Sequence, residues 1–192
     1  MIVVIGSPVA HREAGTVRAG GLAARVALAA ASAGRTVQLV GRIGDDADAD
    51  PLLQALARGG VGHVAMLRDA SRPTIPAGAA ATDAGPHELE AADVELALRY
   101  LVDFAVVVVV DPTSAAVLAV VADAADWGEA TVVLVRSGDL TPTGQAGAVV
   151  LEAEIDEAPQ AFAERAGSIV AALDAGVGRG PASSQRNVRS AG

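Results

Sequence analysis

A glycine pair, Gly20-Gly21, stands directly before an Ala-rich run from Leu22 to Ala33. A Gly pair opening a helix lets the backbone approach a ligand closely. It also turns the first helical N–H groups outward, where the helix dipole favours a negative or polar group. The other reading is a tight strand-to-helix junction. Asp45-Asp46, after Gly44, is either a metal or sugar contact or a turn whose carboxylates accept from local N–H groups and cap the next helix. The turn is preferred. Glu152, Glu154, Asp156 and Glu157 crowd four carboxylates into six residues. Oxygen ligands of this kind suit Mg²⁺. Acids equally suit a helix start, which is the preferred reading. His63 and His87 have no partner at ligand spacing and are read as structural.

Composition excludes several chemistries. The 192 residues include no Cys and no Lys, and all 14 basic residues are Arg. Without Cys there is no disulfide framework, thiolate nucleophile or Cys-ligated zinc. Without Lys there is no Walker A loop and no Schiff base. No Gly-x-Gly-x-x-Gly follows Ile5, and no Gly-x-Ser-x-Gly occurs, so dinucleotide binding and a hydrolase elbow lack support. A net charge of −9 argues against a nucleic-acid partner. The four aromatic residues, Tyr100, Phe104, Trp127 and Phe162, are too few for base-stacking platforms. No apolar run reaches the roughly 18 residues that cross a bilayer, so no membrane partner is expected. The start at Ile2–Ile5 has no basic n-region, and the expected location is cytoplasmic.

The elements that must hold these residues alternate between apolar runs and helical patterns. Strands are expected at Ile2–Ile5, Thr36–Val40, Val61–Leu67, Phe104–Val110, Thr131–Val135 and Ala148–Leu151, with a short one around Thr74–Thr82. Helices are expected at Leu22–Ala33, from Asp50-Pro51 to Gly59, around Val94–Val102, after a cap at Thr113 or Ser114, and over Asp156–Ala175. The run Phe104–Val110 is apolar throughout, as a central parallel strand covered on both faces must be. This alternation predicts an α/β fold: a three-layer α/β/α core with a mainly parallel sheet over residues 1–175. Residues 176–192 carry three Arg, no acid and little to bury, and are read as a disordered tail.

Read in order, Gly20, Gly21, Ala27, Gly34, Gly41, Gly44, Asp45, Asp46, Leu53, Leu56, Gly60, Val61, Pro73 and Thr74 form a pattern. It runs Gly-Gly, an Ala-rich helix, Gly, a strand, Gly-x-x-Gly-Asp-Asp, a helix, Gly-Val and Pro-Thr. This resembles the first signature of the ribokinase, or phosphofructokinase-B, family of carbohydrate kinases. The match covers about residues 20–74 and continues colinearly over about 90–175. The resemblance implies a ribokinase-like core, with an ATP- and Mg²⁺-dependent transfer of phosphate to a sugar or nucleoside. It also implies that the Gly pair touches the sugar.

The departures from that pattern matter as much. The family's sugar-holding Asp falls on His11, its Asn after the Gly pair is Arg25, and its Gly after Gly-Asp-Asp is Ala49. The stretch from Gly6 to Gly20 is too short for the family's lid of strands, and the second lid segment is shortened. No Asn-x-x-Glu accompanies Ala148–Leu151. The second signature, Asp-Thr-x-Gly-Ala-Gly-Asp, which supplies the anion hole and base, has only partial echoes, at Pro142–Gly147 and Asp174-Ala175-Gly176. No catalytic and no metal residue is therefore assigned. The expected substrate-binding set is Gly20, Gly21, Arg25 and His11, with Arg25 able to hold an anion bidentately. His11 and Arg25 read alternatively as surface residues of a decayed pocket. Any pocket is expected at the C-terminal ends of the strands, near Gly6, Gly20, Gly21 and Arg25.

Three functions stay open at this point. One is an active sugar or nucleoside kinase, needing ATP, Mg²⁺ and a partner chain to complete the site. Another is a shortened, catalytically impaired homologue that still binds a sugar- or nucleoside-like ligand, with no cofactor of its own. The third is a non-catalytic interaction protein. A homo-oligomer is compatible with each.

Overall fold

The computed structural model describes residues 1–77, 87–110, 113–136 and 147–177. In chain order the elements are β1 (Ile2–Ile5), β2 (Val9–Glu13), β3 (Thr16–Gly20), α1 (Gly21–Ser32), β4 (Val37–Gly44), α2 (Ala49–Arg58), β5 (Val61–Asp69), α3 (Ala91–Tyr100), β6 (Val106–Val110), α4 (Ala115–Gly128), β7 (Thr131–Arg136), β8 (Val149–Glu152) and α5 (Pro159–Val177).

Six strands form one sheet in the order β5-β4-β1-β6-β7-β8, and every neighbouring pair is parallel. The five valines of β6 are all buried in its middle, as their unbroken apolar run requires. Successive side chains alternate between the two faces. Ile2, Val4, Val106 and Val108 pack under α1 and α5, whereas Val3, Ile5, Val107 and Val109 pack under α3 and α4. This is the α/β/α layering expected from the sequence. At the N-terminal edge of the sheet, the buried Asp174 carboxylate of α5 accepts from the Met1 amino group at 3.1 Å and pairs with Arg35. Among the described residues, no helix is long and apolar enough to cross a membrane.

The structure corrects several boundaries. Helix α2 begins at Ala49, not Asp50, because the Asp46 carboxylate accepts from the Asp48 N–H at 3.0 Å and starts the turn early. Pro51 still fits, since a first-turn N–H has no helical acceptor to lose. Helix α5 starts at Pro159 rather than Asp156. Asp156 has a left-handed φ of 65° and cannot begin a helix, while Pro is preorganised to do so. Strand β4 runs on to Gly44. Of the strand expected around Thr74–Thr82, Pro76 makes a single bridge to Ala10, and residues 78–82 lie outside the described residues. The proposed tail lies outside them from residue 178 on.

The β2–β3 hairpin has no counterpart in the sequence reading. Glu13 pairs with Thr16 across the two-residue loop Ala14-Gly15, where both φ angles are positive, at 47° and 82°. That is the loop geometry that matches strand twist, but Ala stands where Asn or Asp would announce it. The inner face, Ala10 with Val17 and Ala19, packs on Ile43, Ala49 and Leu52. Arg12 forks onto Asp48, at 3.1 Å from Nε and 2.6 Å from Nη2, and pins the hairpin to α2.

Candidate functional site at the strand ends

Gly20 is extended and Gly21 has a φ of 80°, so the chain turns sharply between β3 and α1. A Cβ at Gly21 would stand 3.0 Å from Val9 Cγ2 as well as carrying a strained backbone, so this position demands glycine. No side chain caps α1. Its first residues, Gly21, Leu22 and Ala23, line a cavity of about 680 Å³ above the C-terminal ends of β1 and β6. Gly6, Gly21, Val110 and Ser114 line it, together with Ile75 and His87. The start of α4 also meets this space, with Ser114 accepting from the Val117 N–H at 3.3 Å. Helix α3 enters beside it through a capping box between Glu90 and Asp93. The volume suits a small organic ligand, for which pockets of about 300–1,000 Å³ are usual.

The sequence reading missed two residues of this cavity wall. Ser7 donates from Oγ to the His87 carbonyl at 3.0 Å and accepts from the Arg42 N–H at 3.1 Å. His87 is buried, its Nε2 lying 2.9 Å from the Pro73 carbonyl oxygen and its Nδ1 3.6 Å from Asp69. Ser7 is bonded through its hydroxyl and His87 through Nε2, whereas the buried His87 Nδ1 has no hydrogen-bond partner among the described residues. His87 is therefore structural, as read, and a cavity residue too. Only tertiary pairing reveals that, because no sequence spacing links residue 7 to residue 87.

The four residues expected to bind substrate do not converge. Gly21 lies with Gly6 at the cavity. His11, Gly20 and Arg25 line a separate groove of about 630 Å³ behind the hairpin, closed by Gln160 and Glu164 of α5. Alternation explains the split. His11, Glu13, Arg18 and Gly20 share the outer face of the hairpin, with His11 directly opposite Arg18. Arg25, Leu28, Ala29 and Ser32 are the α1 positions that meet them, at helical spacing. Arg18 pairs with Glu13 at 3.3 Å.

Asp45 and Asp46 do not line the cavity either; both are exposed and bond to neighbouring groups of the protein. Asp46 accepts from the Thr74 hydroxyl at 2.8 Å, the Thr74 N–H at 2.7 Å and the Asp48 N–H at 3.0 Å. Desolvation pushes its carboxyl up, and the hydrogen bonds from Thr74, Asp48 and Ala49 outweigh it, holding the pKa below the ordinary range. Asp45 pairs with Arg68. The Gly44 N–H donates to Thr74 Oγ1 at 3.1 Å. Gly-Asp-Asp and Pro-Thr thus lock β4 onto the loop after β5, which is the structural reading of the acid pair.

A model of the pfkB family of carbohydrate kinases matches residues 5–176. The chain belongs to that family. Solved structures with the same fold include a PfkB protein from Polaromonas sp. JS666, at a TM-score of 0.54 and 18% identity over 74% of this chain and 56% of that one. A fructokinase from Halothermothrix orenii gives 0.52 and 17% over 70% and 56%. The ribokinase of Arabidopsis thaliana, solved with ribose and ATP, gives 0.50 and 21% over 70% and 52%. The pfkB chain described here spans a little over half the length of these structures. No curated protein matches it.

In the acidic segment after β8, Glu157 is the carboxylate tied up by the protein. Among the described residues no three His, Asp or Glu side chains gather where they could hold a metal. Glu157 is committed to Arg165, at 2.9 and 2.7 Å, and accepts from the Glu154 N–H at 3.0 Å. The Arg165 hydrogen bond, more than any other contact, holds the Glu157 carboxyl down at about 2. The reading of these acids as a helix start is corrected: Glu152 ends β8, Glu154, Asp156 and Glu157 precede α5, and no acid stands in its first turn. An NMR titration should place the Glu157 carboxyl near 2 and show Arg165→Ala raising it toward the ordinary range, with the Glu154 N–H still holding it down in part. Because the folded pKa is depressed, this pair stabilises the fold above the ordinary glutamate pKa and is lost as pH falls toward 2. Of the echoes of the second pfkB signature, Asp174 serves the N-terminal edge, and 142–146 lie outside the described residues.

Proposed function

We propose that this pfkB-family chain binds a sugar- or nucleoside-like ligand in the cavity above β1 and β6, and that on its own it transfers no phosphate. One observation carries the binding: the start of α1, which no side chain caps, lines a cavity of ligand size with Gly21, Leu22 and Ala23, where a helix N-terminus favours a polar group. Its N–H donors suit ligand hydroxyls. Val9, Ile75 and Val110 offer the apolar wall that a sugar or base face packs against. Gly20, His11 and Arg25, in their separate groove, are assigned to a second, anionic group, the guanidinium taking it bidentately. A sequence without Asn-x-x-Glu or Gly-Ala-Gly-Asp, and the pairing of Glu157 with Arg165, support the loss of transfer.

Calorimetry and thermal shift with ribose, fructose, adenosine and ATP test the binding. A ligand present at 100 times its Kd should add about 2.7 kcal/mol of stability. Gly21→Asp should abolish the response, at a cost in stability because this position demands glycine. Leu22→Trp, which fills the cavity from a different position, guards against a Gly21 variant that fails to fold. Millimolar ligand with no response from any member of the panel would remove the binding reading.

A further inference from the structure

Three of the four aromatic residues, Tyr100, Phe104 and Trp127, sit at the C-terminal ends of α3 and α4 or in the turn between α3 and β6. There a groove of about 780 Å³ separates the two helices, floored by Leu98, Phe104, Val120 and Ala124 and edged by Val102 and Trp127. It opens on the sheet face away from α1 and α5. Since α4 starts at the ligand cavity, its 14 residues put the groove about 20 Å away, at the other end of the sheet.

The groove is open as well as apolar. Trp127 is 92% exposed and Val102 65%. An indole standing clear in solvent cannot enclose a small molecule, but a residue of this type is the usual anchor of a protein interface. The surrounding charge selects the partner. Asp103 and Asp123 line the groove, and neither has an ion-pair partner among the described residues. Arg99, on the rim, is engaged by Glu95 at 2.5 Å. The negative dipole end of α4 meets the groove with no basic residue in its last turn. A second copy would bring the same acids and a net charge of −9 against themselves.

We propose that the α3–α4 groove docks an arginine-bearing segment of a partner protein, its guanidinium stacked on Trp127 and held by Asp103 and Asp123. Arg fits better than Lys because a planar guanidinium stacks on an indole and forks onto a carboxylate, whereas an ammonium is a compact, strongly hydrated charge. The apolar floor takes the side chains that flank it.

Trp127 is the chain's only tryptophan, so its emission reads this groove and nothing else. The probe is a labelled acetyl-Arg-Leu-Arg-Leu-Arg-amide, followed by anisotropy and by Trp127 emission, with its all-Lys counterpart beside it. The Arg peptide should bind at low salt, weaken as salt rises, shift the Trp127 emission, and bind several-fold tighter than the Lys peptide. The exposed Trp127→Ala should weaken binding tenfold or more, and so should the double variant Asp103→Asn with Asp123→Asn. Asn accepts the left-handed φ of 62° at position 103, so that variant keeps the backbone. Absence of binding overturns the proposal. So does binding that leaves Trp127 emission or the variants' affinity unchanged, since general acidity then explains it. Sedimentation that finds a dimer dissolved by Trp127→Ala also overturns it, because a second copy then fills the groove.

Discussion

Replacing Gly44 by alanine should lower the stability of the chain by about 3 kcal/mol, the upper end of what overpacking alone costs. An added Cβ would fall inside the backbone of Arg72, Pro73 and Thr74, 2.6 Å from the Pro73 carbonyl carbon. Those atoms belong to main chain, which cannot swing aside as a side-chain end can. The Thr74 loop must therefore lift, taking with it the hydrogen bond from the Gly44 N–H to Thr74 Oγ1 and the two from Thr74 to Asp46. Each net hydrogen bond is worth about 1 kcal/mol, and a buried group left without its partner costs more. Urea denaturation gives the difference. Thr74→Ala should cost less alone and should not add to Gly44→Ala, because both break the same contact. A loss under about 1 kcal/mol for Gly44→Ala would mean that the loop yields freely and that this motif is no lock.

The same contact shows what the sequence could and could not reveal. The layered sheet was legible because its signals are local: Val106–Val110 is apolar without a break, Leu22–Ala33 is rich in alanine, and Leu52, Leu53, Leu56 and Ala57 fall at helical spacing. The family pattern at 20–74 was legible because its glycines are forced by close approaches, as at Gly44. The hairpin escaped because its buried face is mostly alanine and its turn is Ala-Gly, so neither alternation nor turn chemistry marks it. Site membership was only half legible. Gly20 and Gly21 are neighbours in sequence, yet the turn between them sends one to the groove and the other to the cavity. Ser7 and His87 join the cavity through contacts 80 residues apart. No periodicity encodes such contacts.

Purified chain mixed with ATP, Mg²⁺ and a sugar panel should release no ADP above a Gly21→Asp control. Phosphoryl transfer rests on positioning and charge stabilisation, so an anion-binding loop, a metal site and a poised base must act together. The uncapped N-terminus of α1 offers donors for one anion or hydroxyl and nothing more. Asp46, a carboxylate that follows β4, spends its oxygens on Thr74 and Asp48 and has a lowered pKa, the wrong direction for a general base. Glu157 is tied to Arg165 and held at about 2, equally unfit to take a hydroxyl proton at neutral pH. Loss of a single transition-state donor costs roughly 10²–10³ in rate. Residues that act as a unit do not add, so losing the metal site and base together takes the rate toward background rather than to the product of single losses. Calorimetry in parallel keeps the two proposals apart. Ligand binding without ADP release is the expected outcome, whereas loss of both would strike the cavity assignment first. Clear turnover by the wild-type chain, absent in Gly21→Asp, would overturn the prediction and make this an active carbohydrate kinase. Turnover that appears only when a second polypeptide is added would assign the missing base and metal ligands to that partner.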